Sequence, residues 1–224
     1  MLIATGAAVV VVIALIAVQQ LTSSGSSAPD PSKLTGIETV SAEFDGLTQT
    51  AGTVGNANAK VTIEEYGDLR CPICKAFDNG VIPQVLTNLV RTGKAKLTYR
   101  TWPILGPNSV FAARAAYAAR QQNALWSYAA LTYLNQGDEN SNWFTKAIAR
   151  SLAAGVGLDI KRFDKDMASA AATTAINQVN TAATALNLPG TPSIRITGPA
   201  GSATVQATYD AIKAGVQTAS GTAG

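Results

Sequence analysis

The sequence predicts an α/β fold in which strands open and close the main domain and helices fill its middle. Alternating β-branched residues in "AKVTIEEYGD" and "SIRIT" predict strands at both ends. Between them, apolar residues recur every three or four positions, which predicts helices. With 224 residues, 47% of them hydrophobic, the chain can bury a sizeable core. The predicted order is β-α-β, then four or five helices, then β-β-α.

A strand–helix–strand unit begins the domain. The first strand is predicted to end near Tyr66, and a helix is predicted to begin at Pro72, because proline is favoured at the first helical position. Gly80 and Pro83 are expected to kink or split this helix. The next strand is Ala95–Trp102. A unit of this length predicts two parallel strands with a right-handed connection.

A long helical stretch follows this unit. Helices are predicted to start near Asn108, Ala124 and Trp143, with an additional N-cap at Asp159, and Pro189 ends the stretch. We therefore place an all-helical insertion at about residues 106–188.

A hairpin and a helix close the chain. The strand Ser193–Thr197 is predicted to pair with Ala203–Ala207, and Tyr209–Thr218 is predicted to be the closing helix. Together with the opening unit, this outline is a thioredoxin-like fold (β-α-β … β-β-α) with an inserted all-helical subdomain. The main domain is predicted to span residues 59–220.

The N-terminal segment predicts the compartment. Residues 1–21 include an uncharged apolar run long enough for a single transmembrane anchor, and a cleaved signal segment is the alternative. Residues 22–58 are predicted to be a flexible linker, rich in small polar residues and proline, and an N-terminal arm. Either interpretation places the main domain on the extracytoplasmic side of the cell membrane or in the secreted fraction, where thiols can be oxidised.

Composition excludes several functions. The chain has no histidine, which removes Ser-His and Cys-His nucleophile pairs and His-ligated zinc. Its two cysteines cannot complete a four-thiolate site, so we expect neither a metal nor a cofactor. The net charge is +3 and no long basic block is present, so the sequence gives no case for nucleic acid binding.

The stretch "GDLRCPICKAF" contains both cysteines, Cys71 and Cys74. A permanent structural disulfide is one interpretation of this pair. However, a disulfide between cysteines in a Cys-x-x-Cys motif closes a very small ring and constrains the unfolded chain little. Redox exchange is favoured instead. With Pro72 opening a helix, Cys71 lies at its N-terminus, where N–H groups and the helix dipole stabilise a thiolate. Arg70, next to Cys71, is expected to add positive potential.

Three segments together resemble the signature regions of the DsbA-like thiol–disulfide oxidoreductases: "VTIEEYGDLRCPICKAF", "GKAKLTYRTWPIL" and "LPGTPSIRITG". The resemblance covers roughly Ala59 to Gly215. It implies catalysis by Cys71 and Cys74, and a cis peptide bond before Pro192. It also implies that the Thr191 backbone pairs with a substrate strand.

The resemblance further implies a buried acid at Glu65, beneath Cys74, which could exchange a proton with that thiol. Asp68 is a weaker alternative for that role. Where strong oxidants of this family carry histidine between the cysteines, this chain has Ile73, which leaves the oxidising strength open.

The implied function is the introduction of disulfides into cysteine-containing secreted or membrane proteins, with reoxidation by a membrane quinone-linked partner. Two alternatives stay open. The protein could be a disulfide reductase or isomerase, which the redox state of the cysteines in cells would reveal. It could also be a non-catalytic peptide-binding chaperone, in which Cys71→Ser would leave activity unchanged.

Overall fold

The computed structural model describes residues 28–221, and its centre is a six-stranded sheet. The strands are β1 Gln49–Thr50, β2 Thr53–Val54, β3 Val61–Gly67, β4 Ala95–Thr101, β5 Ser193–Gly198 and β6 Gly201–Val205. The helices are α1 Ile37–Phe44, α2 Pro72–Gly80, α3 Ile82–Val85, α4 Pro107–Gln121, α5 Leu125–Leu134, α6 Lys146–Gly155, α7 Ile160–Ala168, α8 Ala170–Ala185 and α9 Tyr209–Ser220. A 3₁₀ turn at Pro31–Lys33 precedes α1, and a π-helical turn at Leu86–Val90 continues α3.

The strands are arranged in the order β1-β2-β4-β3-β5-β6. Strands β3 and β4 are parallel, and the other neighbouring pairs are antiparallel. Helix α9 packs on β3, β5 and β6, while α4 and α8 contact β4. This arrangement confirms the predicted thioredoxin-like α/β fold with its parallel opening unit.

The register between β3 and β5 brings two distant segments together. Tyr66 lies opposite Ser193, and Glu65 lies opposite Ile194. Pro192 directly precedes this paired stretch, and the cysteine loop directly follows β3. The end of β3 and the start of β5 therefore lie side by side, and the residues of the site lie there.

Helix α2 ends where the sequence predicts a break. Gly80 is its last residue, and α3 starts at Ile82 with Pro83 in its first turn. The N–H of Val81 still donates to the carbonyl of Phe77, so the two helices are joined by a tight bend.

The helical insertion consists of α4 to α8. Asp159 is the N-cap of α7, as predicted, and its carboxylate accepts from the N–H of Arg162. The start predicted near Trp143 is wrong by three residues, because the hydroxyl of Thr145 accepts from the N–H of Ile148 and sets the first turn at Lys146. Strand β6 likewise begins two residues earlier than predicted, because the hairpin turn is tight and pairs Gly198 with Gly201.

Residues 28–58 form an ordered arm in the structure. Val40 and Phe44 of α1 are buried in the core, and β2 pairs with β4, which extends the sheet. Arg91 donates to the backbone carbonyls of Glu43 and Asp45. The predicted anchor or signal at residues 1–21 lies outside the described residues. Within residues 28–221, no helix has the length and hydrophobicity needed to cross a membrane.

Candidate active site

Cys71 is the N-cap of α2, with Pro72 at the first helical position. Its sulfur accepts a hydrogen bond from the N–H of Cys74 at 3.4 Å. The thiol also donates to the carbonyl oxygen of Thr191 at 3.6 Å. Both cysteines are free thiols, so the structure describes the reduced form.

The hydrogen bonds that the Cys71 sulfur accepts favour its thiolate form. A hydrogen bond from the Cys74 thiol, together with a contact to Thr191 and the N–H groups of Cys74 and Ile73, lowers the pKa of Cys71 to about 6. Partial burial opposes this shift but does not cancel it. Cys71 is therefore a thiolate at neutral pH, which is the nucleophilic form.

Cys74 differs from Cys71 although it lies only one turn away. It is completely buried, and burial raises the pKa of its thiol far above the ordinary value. The hydrogen bond to Cys71 and the nearby acidic side chain of Glu65 raise it further. One thiol is thus activated and near the surface, and the other is protonated and enclosed.

The Thr191–Pro192 peptide bond is cis, as the resemblance implies. The hydroxyl of Ser193 donates to the carbonyl of Gly190 at 2.6 Å, which closes this turn. The carbonyl oxygen of Thr191 faces the Cys71 sulfur. An extended chain that approaches Cys71 therefore meets the backbone of Thr191.

Glu65 is fully buried, and neither carboxylate oxygen has a hydrogen-bond partner among the described residues. Burial, followed by repulsion from Asp78 and Cys71, raises the pKa of Glu65 well above its ordinary value. Burial therefore favours the neutral, protonated form of the Glu65 carboxyl group. Its influence on the pKa of Cys74 places it close to the enclosed thiol.

Asp78 is another buried acid, which the sequence analysis missed. It lies one turn after Cys74 on α2, and burial and the nearby Glu43 raise the pKa of its carboxyl group well above the ordinary value. The four-residue spacing from Cys74 was the available signal. A cavity lined in part by Asp78, Glu43 and Pro83 connects this position with the protein surface.

Arg70 and Asp68 have different surroundings from those expected. The guanidinium of Arg70 donates to the backbone carbonyls of Leu105, Glu139 and Ser141, and it is not among the groups that lower the pKa of Cys71. The carboxylate of Asp68 accepts several hydrogen bonds, so it is a structural anchor and not a free acid.

The helical insertion is fastened to the cysteine loop. The hydroxyl of Tyr133 donates to the carbonyl of Asp68 at 3.2 Å and pairs with the hydroxyl of Tyr99 at 2.6 Å. The side-chain amide of Gln136 donates to the carbonyls of Leu69 and Cys71. These contacts hold the start of α2 against α5. Within the described residues, no group of three or more cysteine, aspartate or glutamate side chains could hold a metal ion.

A cis proline facing an activated thiol at a helix N-terminus defines a thioredoxin-type redox site, and comparison with known proteins agrees. A family model described as thioredoxin matches residues 47–215, more than half of the chain. The protein belongs to this family and, within it, to the DsbA-like thiol–disulfide oxidoreductases.

Three individual proteins illustrate the similarity. The probable disulfide bond formation protein D of Bacillus cereus is 27% identical over 153 residues, which cover 66% of this chain and 71% of that protein. The oxidised DsbA of Mycobacterium tuberculosis is 26% identical with a TM-score of 0.57, over 75% of this chain and 87% of that one. BdbD of Bacillus subtilis, at 20% identity and a TM-score of 0.67 over 76% and 94% of the two chains, shares the fold.

Proposed function

We propose that this protein is an extracytoplasmic enzyme that introduces disulfides into secreted or membrane proteins through Cys71 and Cys74. The observation that carries the proposal is the asymmetry of the two thiols. The pKa of Cys71 is lowered to about 6 beside the cis proline, whereas burial raises that of Cys74. A structural disulfide needs no such difference.

In the proposed reaction, a substrate thiolate attacks the sulfur of Cys71 in the oxidised enzyme. The Cys71–Cys74 bond breaks, the electron pair goes to the Cys74 sulfur, and a substrate–Cys71 disulfide forms. Because the Cys74 thiolate is unstable in its buried position, it takes a proton, for which neutral Glu65 is the proposed donor.

A second substrate thiolate then attacks the substrate sulfur of the mixed disulfide. Cys71 departs as a thiolate, and its lowered pKa makes it a good leaving group. The substrate leaves with a new disulfide, and the enzyme is left as the dithiol.

We assign Pro72 to the helix start that activates Cys71, Thr191 to backbone pairing with the substrate, and Pro192 to the cis turn that presents Thr191. Arg70 is not retained as a thiolate-tuning residue.

The cycle requires reoxidation, for which we propose a membrane quinone-linked partner. We further propose that residues 1–21 anchor the protein in the cell membrane or direct its secretion, and that residues 59–220 form the catalytic domain with the helical insertion at about 106–188. The arm at residues 28–58 packs on this domain. No cofactor enters the proposed exchange, because the electrons pass directly between sulfur atoms.

A disulfide reductase or isomerase is the second candidate function. Ile73 between the cysteines supports it, because a histidine at this position would stabilise the thiolate and favour net oxidation. Equilibration of the purified protein with glutathione buffers distinguishes the two. A reduction potential above that of glutathione supports net oxidation, and a potential near that of thioredoxin supports reduction.

The proposed function is tested with a dithiol peptide. The oxidised protein is expected to oxidise the peptide at least tenfold faster than buffer alone, and Cys71→Ser is expected to remove this activity. Ser151→Ala, a substitution in α6 of the insertion, is the matched control and should retain it. Equal rates of peptide oxidation by the wild-type protein and by Cys71→Ser would exclude redox catalysis through Cys71 and leave only the peptide-binding chaperone interpretation.

A further inference from the structure

Two buried tyrosine hydroxyls lie beside the cysteine loop and bond to each other. The hydroxyl of Tyr133 donates to the backbone carbonyl of Asp68 at 3.2 Å, and it lies 2.6 Å from the hydroxyl of Tyr99. A tyrosine has one proton to donate, and a carbonyl oxygen only accepts. Because Tyr133 gives its proton to Asp68, Tyr99 is the donor in the 2.6 Å contact. We call Tyr99 and Tyr133 the hydroxyl pair.

Glu65 lies close to the oxygen of Tyr99. A Cβ atom added to Gly67 would be 2.5 Å from the Tyr99 hydroxyl oxygen and 2.9 Å from Oε1 of Glu65, so both oxygens lie against the same glycine. The proton of Tyr99 is engaged with Tyr133 and is not available to Glu65. Among residues 28–221, neither oxygen of Glu65 has a hydrogen-bond partner. A carboxylate at this position therefore meets lone pairs of Tyr99 and no stabilising donor.

The other groups near Glu65 also disfavour its carboxylate. The titratable groups around Glu65 and Tyr99 are Cys71, Cys74 and Asp78 of α2, Tyr133 of α5 and Asp68 of the cysteine loop. Burial, followed by repulsion from Asp78 and Cys71, raises the pKa of Glu65. Within the described part of the chain, no lysine or arginine is among the groups that shift this pKa. The surroundings thus agree with the direction of the hydroxyl pair.

We propose that Tyr99 and Tyr133 are positioning residues whose hydroxyl pair keeps the proton on Glu65 until Cys74 takes it. The inference deepens the proposed function and rests on it, because Glu65 is the proton donor there. Tyr133 sets the direction of the pair through Asp68, and Tyr99 is left with only lone pairs for Glu65. Once Cys74 has taken the proton, the same arrangement favours the return of a proton to Glu65.

The two tyrosines give predictions of different size. Tyr99→Phe removes the lone pairs beside Glu65, so the Glu65 carboxylate should form more readily. In Tyr133→Phe, Tyr99 loses its acceptor, and its proton becomes free to turn toward Glu65 and stabilise the carboxylate. Tyr133→Phe should therefore ionise Glu65 at a lower pH than Tyr99→Phe does, although Tyr99 is the residue that lies against Gly67. A role limited to packing predicts no such order.

Stopped-flow reduction of the Cys71–Cys74 disulfide by a dithiol peptide measures proton donation by Glu65. The rate of each variant is divided by the wild-type rate at the same pH, which cancels the ionisation of the peptide thiols. For Tyr99→Phe we expect this ratio to fall by about tenfold from pH 5 to pH 8, and for Tyr133→Phe we expect a larger fall.

Tyr128→Phe is the matched control. Tyr128 is a buried tyrosine of the same helix as Tyr133, and its hydroxyl donates to the carbonyl of Ala149. Its rate ratio should be the same at pH 5 and pH 8. In a Glu65→Gln background, Tyr99→Phe should cause no further loss of rate, because it acts through Glu65. An equal loss in both backgrounds would overturn the positioning role.

Infrared spectroscopy of the reduced protein detects the proton on Glu65 independently of activity. The C=O stretching band of a protonated carboxyl group that disappears in Glu65→Gln belongs to Glu65, which distinguishes it from the band of Asp78. The pH at which this band disappears should be highest in the wild-type protein and Tyr128→Phe, lower in Tyr99→Phe and lowest in Tyr133→Phe.

The two measurements separate this inference from the proposed function. If Tyr99→Phe and Tyr133→Phe match Tyr128→Phe in both measurements while the wild-type protein oxidises the peptide, the hydroxyl pair has no positioning role and the proposed function stands. If the wild-type protein does not oxidise the peptide, the proposed function fails, and the inference fails with it whatever the order of the infrared bands.

Discussion

At the scale of the residue, one helical turn separates two thiols with opposite properties. Cys71 gains hydrogen bonds at the start of α2, whereas Cys74 faces the core. A pKa of about 6 for Cys71 stabilises the reduced form at pH 7 by about 1.4 kcal/mol, or roughly 30 mV. This stabilisation is complete above the ordinary thiol pKa of about 8.5, shrinks below it, and is lost as the pH falls through 6, because the thiolate becomes protonated.

Alkylation of the reduced protein should report this difference directly. The rate of Cys71 modification by iodoacetamide is expected to rise with a midpoint at about pH 6, while Cys74 stays unmodified until the protein unfolds. Cys74→Ala should raise the midpoint, because it removes the thiol whose hydrogen bond contributes most to the lowered pKa. A midpoint near 9 in the wild-type protein would contradict this account.

Glu65→Gln tests the buried acid. Glutamine cannot transfer a proton, so reduction of the Cys71–Cys74 disulfide by a dithiol peptide is expected to slow by about 10² or more in stopped-flow measurements.

Because burial raises the pKa of Glu65 in the folded state, the wild-type protein should lose stability as the pH rises above about 4.3, the unfolded value.

The Glu65→Gln variant should lose less stability than the wild-type protein over the same pH range, which urea unfolding at pH 5 and pH 8 would measure. Glu38→Gln, at an exposed position on α1, is the control and should behave like the wild-type protein. Identical pH dependence in Glu65→Gln and the wild-type protein would exclude the raised pKa.

At the scale of the element, β3 fits tightly against its neighbours just before the cysteine loop. A Cβ atom on Gly67 would lie 2.5 Å from the hydroxyl of Tyr99 and 2.9 Å from Oε1 of Glu65. Both side chains are buried, so neither can move aside freely. The end of β3 therefore requires glycine although its backbone is ordinary.

Gly67→Ala is expected to lower the free energy of unfolding by about 1–3 kcal/mol, because it overpacks the core beside Glu65. Urea unfolding measures this loss. Gly80→Ala, at the end of α2 with nothing within 4 Å of the added Cβ, should leave the stability unchanged or raise it by up to about 1 kcal/mol. Equal stability of the two variants would contradict the packing described for β3.

The sequence predicted the elements of this fold better than their contacts. Hydrophobic periodicity was sufficient to predict the strands. Pro72 predicted the start of α2 and Asp159 predicted a helix N-cap, because these signals are local. The hydrogen-bond acceptors of the Arg70 side chain were not predicted, since they lie 35 to 71 positions away along the chain. The site itself was predicted from the cysteine spacing and from a family resemblance.

At the scale of the whole molecule, the arm packs on the catalytic domain and extends its sheet. The sequence predicted a linker and arm over residues 22–58, and the described portion, residues 28–58, packs on the core through α1 and pairs β2 with β4. The composition of this segment did not predict that it packs on the core, because only a few of its apolar side chains are buried. Val40 and Phe44 are the buried residues of α1.

Phe44→Ala is expected to destabilise the whole protein by about 3 kcal/mol in a single unfolding transition, because it leaves a cavity between the arm and the core. Glu38→Ala, on the exposed side of α1, should change the stability by less than about 0.5 kcal/mol. A separate early transition for Phe44→Ala, with the main transition unchanged, would show that the arm is an independent unit.

Catalysis by Cys71 requires a covalent bond between its sulfur and a substrate sulfur, and capture of that bond is the decisive experiment. Reduced Cys74→Ala is mixed with a disulfide-containing peptide and analysed by mass spectrometry after proteolysis. One peptide per protein is expected, attached at Cys71 and stable because Cys74 is missing. Absence of this adduct, under conditions in which free glutathione forms its own adduct with the peptide, would rule out exchange through Cys71.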